Sequence, residues 1–268
     1  TQSFIEKNIR KKNILINNSR TKANYVVKLN DNLIILNFHE ELYKNKIINK
    51  KNINISDNDL KKFNKSIIFQ NNNFLVINKW SDIATQGGSK VNVSIDHIIK
   101  NINPDYRLVH RLDKETSGLL LISKNLKYAR YFSTLFKQHL ITKFYIALCE
   151  GSPKNKNSKV LLNIKNKNQE IEKTITNYVV IGNKNNITQI LYNPETGKTH
   201  QLRKVSKNLG CSIIGDQKYN INSKYNNEKL MLHAFALNFT IYEEKFSFIS
   251  ELPNHFLTFI KKNKLKFK

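Results

Sequence analysis

Three short segments in this chain of 268 residues carry side chains that could do chemistry. The first is His110-Arg111-Leu112-Asp113-Lys114-Glu115-Thr116-Ser117-Gly118, between a short strand expected at residues 107–109 and a wholly apolar one at 119–122. A loop pinned between two buried strands is a rigid platform for a functional group. Asp113 stands on it between Arg111 and Lys114, cations that would keep a carboxylate ionised. On spacing alone the segment reads at least as well as an ordinary turn built on Asp and Gly. The second segment, Thr196-Gly197-Lys198-Thr199-His200-Gln201-Leu202-Arg203, opens a helix, with Thr199 spaced to cap it and Gly210 suited to its left-handed end. Leu202, Val205 and Leu209 share one face, while His200, Arg203 and Lys207 form a separate polar stripe. That stripe could meet phosphates, hold an internal carboxylate, or simply face water. The third is Lys143-Phe144-Tyr145-Ile146-Ala147-Leu148, where alternation sets Tyr145 opposite Phe144, Ile146 and Leu148, towards a cleft or into ordinary packing.

The elements that must hold these segments follow from the apolar pattern. From Ser66 onward, apolar runs alternate with turn clusters. Residues 67–69 and 74–77 flank Asn71-Asn72 as a hairpin. Ser94 can cap a helix running to Lys100, and Asn125 another with Leu126, Ala129, Phe132 and Phe136 on one face. Further strands are expected at 119–123, 143–148, 160–164, 174–181, 188–192, 230–239 and 246–249. So many strands with few interleaved helices predict an α+β fold with a mixed, largely antiparallel sheet flanked by helices, not a doubly wound parallel one. Upstream, residues 1–41 read as a basic helix at 4–11, strands at 14–16 and 24–28, a turn at Asn30-Asp31-Asn32 and a strand at 33–37. Residues 42–64, dense in Lys and Asn, read as a linker, leaving 65–268 as the main domain.

A net charge of +25 and a pI near 9.9 call for a polyanionic partner, either nucleic acid or an anionic membrane surface. Lysine is spread through every segment, so arginine is the sharper marker, and it occurs at Arg10, Arg20, Arg107, Arg111, Arg130 and Arg203. Cys149 and Cys211 lie far apart without a CxxC pair, which argues against a disulfide framework or thiolate zinc site and fits a reducing cytoplasm. No apolar run approaches the ~20 residues that span a bilayer, and no signal-peptide pattern opens the chain. The histidines show no paired ligand spacing, so no metal is expected. A chain that opens at Thr1 rather than Met is expected to have lost residues upstream.

Together, HRLDKETSG, the KFYIAL strand, TGKTHQLR, the Gly215-Asp216 pair with Tyr219, and Leu232-His233-Ala234 resemble, in order and spacing, the RluA-type pseudouridine synthases. Gly87-Gly88-Ser89 downstream of Asn78-Lys79 is similar to the RluC-type branch, which modifies uridines of large-subunit ribosomal RNA. Residues 1–41 are similar to the later part of a ribosomal protein S-four-type (alpha-L) RNA-binding domain. The resemblance implies a cofactor-free isomerase acting as a monomer. It makes Asp113 the catalytic carboxylate, as nucleophile or base. It further implies that Arg203 pairs with Asp113, that Tyr145 stacks on the base and helps remove its C5 proton, and that Arg111 enters the space left by an extruded uridine. Contacts to RNA are expected from His110, Lys114, Lys198, His200, Gln201 and Lys207, with Arg10, Lys11, Lys12, Arg20 and Lys22 adding affinity from the amino-terminal segment. Trp80, Gln86, Lys198 and Lys204 depart from the usual family residues without touching Asp113, Tyr145 or Arg203. The rival reading is an RNA-binding or ribosome-assembly protein that has lost catalysis; a DNA-binding protein is a weaker rival, since no helix-turn-helix or zinc pattern is found.

Overall fold

In a computed structural model, which describes residues 2–43, 54–88, 91–166 and 168–266, the chain divides into two units, Thr1–Asn52 and Ile53–Lys268. Residues 44–53 of the segment read as a linker, and Ser89 of the Gly87-Gly88-Ser89 motif, lie outside the described residues.

The first unit runs α1 (Gln2–Arg10), β1 (Ile14–Ile16), β2 (Ser19–Arg20), β3 (Leu33–Ile35) and α2 (Glu40–Tyr43), with the strands in antiparallel order β2-β1-β3. Among the described residues of this unit, only Ile14 and Ile16 supply buried apolar side chains. The strand expected at 24–28 does not form. Asp31 instead gathers the Lys28 backbone N–H (2.7 Å), the Asn17 amide (2.8 Å) and the Tyr25 hydroxyl (2.9 Å), folding the segment into a polar turn. Val26 and Val27 stay exposed because no face is offered to cover them.

The second unit begins with α3 (Asp57–Ser66), β4 (Ile67–Gln70), β5 (Phe74–Lys79), α4 (Ile95–Ile102), β6 (Arg107–Leu108), β7 (Ser117–Ser123) and α5 (Leu126–Lys137). It continues with β8 (Thr142–Glu150), β9 (Asn157–Lys165), β10 (Ile171–Lys184), β11 (Ile187–Pro194), α6 (Gln201–Asn208), β12 (Ser212–Ile213), β13 (Leu232–Ile241), β14 (Glu244–Ile249) and α7 (Asn254–Lys262). The end of the supposed linker is therefore helical. Ser56 and Asp59 form a reciprocal capping box, and Phe63 is buried to 1% exposure, so α3 belongs to the core of this unit.

The sheet follows the path β4-β5-β7-β13-β8-β11-β10-β9, with β6 added to β7, β12 to β8 and β14 to β13. Strand alternation divides the core. Leu75, Ile77, Leu120 and Ile122 face α3 and α4, while Phe74, Val76, Leu119 and Leu121 face α5. The unbroken apolar run of β7 is thus explained by burial on both faces. A third cluster packs α6 and α7 against β8, β11 and β13.

Among the described residues the pairs between named strands are antiparallel except β7 with β13, where Ser117 faces His233 and Gly118 faces Ala234; Ala84 and Ser94 add an isolated parallel bridge. Gly118 has φ +111°, and a Cβ there would lie 2.3 Å from the Ala234 carbonyl oxygen. Only glycine lets the two strands meet at this point. His233, fully buried, joins the same seam through Ser117 Oγ at 2.8 Å and Ser250 Oγ at 2.8 Å.

Candidate active site

The loop before β7 delivers Asp113, and neighbouring backbone fixes it. Thr85 Oγ1 donates to the Leu112 carbonyl (2.7 Å) and accepts from the Leu112 N–H (3.1 Å). The Thr116 N–H closes the turn onto the Asp113 carbonyl at 3.2 Å. Beneath the loop, Lys79 is fully buried at the end of β5 and donates to the carbonyls of Trp80, Ile83 and Lys114 at 3.1, 3.1 and 3.3 Å. Burial pulls its ammonium down to about 7, against the upward pull of Asp113, Glu115 and Asp82. Sequence reading missed Lys79 because a lysine at a strand end reads as solvated.

Asp113 opens onto a cavity of about 1100 Å³ lined by Thr85, Gln86, His110, Arg111, Lys114, Lys137, His139, Lys143, Tyr145 and Lys198, among others. A smaller recess of about 100 Å³ adjoins it, where Asp113 and Tyr145 meet His200 and Arg203. The Asp113 side chain keeps 28% of its surface exposed. Burial raises its carboxyl above the ordinary range, opposed by His200 when that ring is protonated and by the charges of Arg203 and Lys79, and reinforced by Glu115. The expectation that cations simply hold it ionised is thus only half the balance, and the groups that act are His200, Arg203 and Lys79 rather than the adjacent Arg111 and Lys114.

Arg203 does approach Asp113, with Nη1 4.0 Å from Oδ2, but its principal partner is Asp216. Nε and Nη2 form a bidentate pair with the two Asp216 oxygens at 2.8 and 2.7 Å. Burial alone would raise Asp216; the Arg203 hydrogen bonds and charge, with the N–H groups of Tyr219 and Lys218, hold it below the usual carboxylate range. Asp216 therefore aims the guanidinium, leaving Nη1 for Asp113 and for Glu115 at 3.6 Å. The Gly215-Asp216 pair was visible in the sequence, but nothing local assigned it to Arg203.

Tyr145, on β8 between Tyr192 of β11 and Ala234 of β13, lines both spaces. Burial first, and then the charge of Asp113, push its phenol well above the ordinary range. Tyr145 thus points to the cleft, the first of the two readings its strand position allowed.

The polar stripe of α6 separates in space. Arg203 is buried, Lys207 is exposed away from the cavity, and His200 precedes the helix in the left-handed region. Thr199 does not cap α6. His200 occupies that position without a side-chain cap, because Gln201 organises the turn: its Oε1 accepts from Lys198 N–H (3.0 Å) and Thr196 Oγ1 (2.9 Å). Gln201, buried, also bonds the Ile175 carbonyl and Thr176 Oγ1, so it faces the protein. His110 lies in the cavity wall, but its Nε2 accepts from Leu121 N–H at 2.8 Å and its ring packs on Phe136. Burial, then the charge of Lys143, lower it to about 3, so it stays neutral. Lys198 lines the cavity and pairs with Glu172 at 3.1 Å, while Arg111 and Lys114 are exposed at the rim. Lys137, His139 and Lys143, not singled out from sequence, extend the basic wall. In the first unit, Arg10, Lys11, Lys12, Arg20 and Lys22 are all exposed, with Arg10 3.7 Å from Glu6. Among the described residues no helix is long and apolar enough to cross a membrane.

A partly desolvated carboxylate in a large basic cavity, on a mixed sheet, defines an enzyme whose substrate is a polyanion. The family model described as RNA pseudouridylate synthase matches residues 73–208. Ribosomal large subunit pseudouridine synthase C of Rickettsia bellii (strain RML369-C) is 34% identical, over 96% of this chain and 91% of its own. The protein of that name from Buchnera aphidicola subsp. Schizaphis graminum is 31% identical, over 89% and 81%. The structure of human RNA pseudouridylate synthase domain containing 4 superposes with a TM-score of 0.69 at 23% identity, covering 77% of this chain and 96% of that one. The chain belongs to the RNA pseudouridylate synthase family.

Proposed function

We propose that this chain isomerises uridines of large-subunit ribosomal RNA to pseudouridine, with Asp113 as the catalytic carboxylate. The observation that carries the role of Asp113 is that, among the described residues, it is the one carboxylate lining the cavity. The RNA class comes from the names of the relatives. The reaction breaks the bond between ribose C1′ and uracil N1, turns the base, and rejoins C1′ to C5; N1 gains a proton and C5 loses one, with no net redox change.

Asp113 attacks the ribose or removes a ribose proton, and either route requires it ionised. Arg203, aimed by Asp216, supports that form against the cost of burial. Tyr145 stacks on the base and helps remove its C5 proton, from a phenol that burial and the Asp113 charge raise above its ordinary range. A stacked uridine must be extruded at a cost of a few kcal/mol. Arg111, exposed at the rim, fills the space it leaves. Lys114 and Lys198 meet phosphates beside the target, and the exposed Arg10, Lys11, Lys12, Arg20 and Lys22 add affinity from the first unit, which we read as an alpha-L RNA-binding segment within 1–41. The enzyme works as a monomer in the cytoplasm.

The test is tritium release from large-subunit ribosomal RNA labelled at uridine C5. Release by the parent and none by Asp113→Asn is expected. A folded, RNA-binding parent that releases nothing would favour the catalytically silent reading, and equal release by both would remove Asp113 from the mechanism.

A further inference from the structure

His200 is held in an orientation its helix does not need. It makes no side-chain cap to α6, and its backbone sits at φ 54°, ψ 27°. A non-glycine residue there carries strain that persists only where the surroundings fix it. The imidazole reaches two ways: Nδ1 lies 3.1 Å from the Tyr219 hydroxyl and Nε2 lies 3.9 Å from Asp113 Oδ2. Tyr219 is itself anchored, its backbone N–H donating to Asp216 Oδ1 at 3.0 Å and its ring lying under the Arg203 guanidinium at 5.3 Å. The Tyr219 hydroxyl and Nδ1 share one hydrogen bond whose direction follows the ring tautomer; with Tyr219 as the donor, Nδ1 accepts. Nε2 then carries the ring hydrogen and faces the carboxylate. The charged groups around the imidazole are Asp113 and Glu115 on the loop before β7, Arg203 on α6 and Lys218 after β12; burial outweighs them and favours the neutral ring.

We propose that His200 is a positioning residue for Asp113, held in one tautomer by Tyr219 so that its Nε2–H faces the carboxylate and favours the charged form. The proposal rests on the reading of Asp113 as the catalytic carboxylate.

The experiment measures single-turnover isomerisation from pH 5 to 9 on saturating large-subunit ribosomal RNA, with RNA affinity measured in parallel. Parent, His200→Ala, His200→Gln, Tyr219→Phe and Asp113→Asn are compared. At 3.9 Å the Nε2–H acts on the carboxylate as an oriented dipole, and its loss should raise the carboxyl pKa, moving the acid limb of the His200→Ala rate profile upward by about one pH unit. Above that limb the rate should recover towards that of the parent, and any change in RNA affinity is read separately from the position of the limb. Tyr219→Phe should move the limb the same way by less, and His200→Gln, which keeps an N–H donor, should restore it towards the parent. An unmoved limb in Tyr219→Phe and in whichever His200 variants fold overturns the proposal, as does weakened RNA affinity with an unmoved limb. Activity in Asp113→Asn would defeat the underlying reading instead; an inactive Asp113→Asn with unmoved limbs elsewhere defeats only the role of His200.

Discussion

At the scale of single residues, the arrangement turns on which charges are buried together. Arg203 and Asp216 expose only 6% and 1% of their side chains and satisfy each other bidentately. Removing one partner from such a pair leaves an uncompensated buried charge, commonly at a cost of about 3–5 kcal/mol. Asp216→Asn should therefore lower the urea midpoint, and release of the guanidinium from its aim should slow isomerisation about a hundredfold even where the protein remains folded. Both are measurable on one preparation, by denaturation and by tritium release. His233 provides the clearest pH signature. Burial, followed by the charge of His255, lowers its imidazole to about 3, below the ordinary 6.5. Between those values the unfolded chain binds a proton that the native protein refuses, so His233 makes stability fall as pH drops from about 6.5 towards 3, at up to ~1.4 kcal/mol per pH unit. His233→Gln should remove about one proton from the slope of unfolding free energy against pH in that window, followed by urea titrations at several pH values.

At the scale of elements, much of the architecture could be read from pattern, and the misses have physical causes. The hairpin of β4 and β5, the Ser94-capped α4, the Asn125-capped α5 and the strands from β7 to β11 follow from alternation, helical spacing and caps that act locally. The helix α3 escaped because lysine and asparagine mask its apolar stripe, although Ser56 and Asp59, with Leu60 and Phe63, spell its start. The strand expected at 24–28 failed because an aspartate six residues from Tyr25 competes for the same backbone, a contact periodicity cannot reveal. The site behaves likewise: Asp113, Tyr145 and Arg203 stood out by type and setting, whereas Asp216 and Lys79 matter through partners distant in sequence. Phe63→Ala should cost about 3–5 kcal/mol, read from the shift in chemical denaturation, since it empties a fully packed site. Gly118→Ala should be harsher. A methyl group cannot occupy 2.3 Å from the Ala234 oxygen, so separation of β7 from β13 should appear as lost hydrogen-exchange protection along both strands.

Across the whole molecule, a charge of +25 makes RNA binding a matter of counterion release. The logarithm of the binding constant should fall linearly with the logarithm of salt, and Lys114→Gln should reduce the slope by about one, as expected for one lost phosphate contact. Changing Arg10, Lys11 and Lys12 together to Gln should weaken binding while leaving the single-turnover rate on saturating RNA unchanged, separating affinity in the first unit from chemistry in the second.

The parallel pairing of β7 with β13 also governs when the site can come into being. β7 and β13 lie far apart along the chain, and β13 also pairs with β8, the strand of Tyr145. Contacts of such long sequence separation must meet a loop-closure cost before they repay it, which slows folding. The loop bearing Asp113 therefore acquires its final order late, once a strand synthesised long afterwards has docked. In a stopped-flow refolding experiment, recovery of isomerase activity should coincide with the slowest protection of β13 amides rather than with the earlier formation of the local hairpins, so that an incompletely folded chain can already attract RNA without yet being able to modify it.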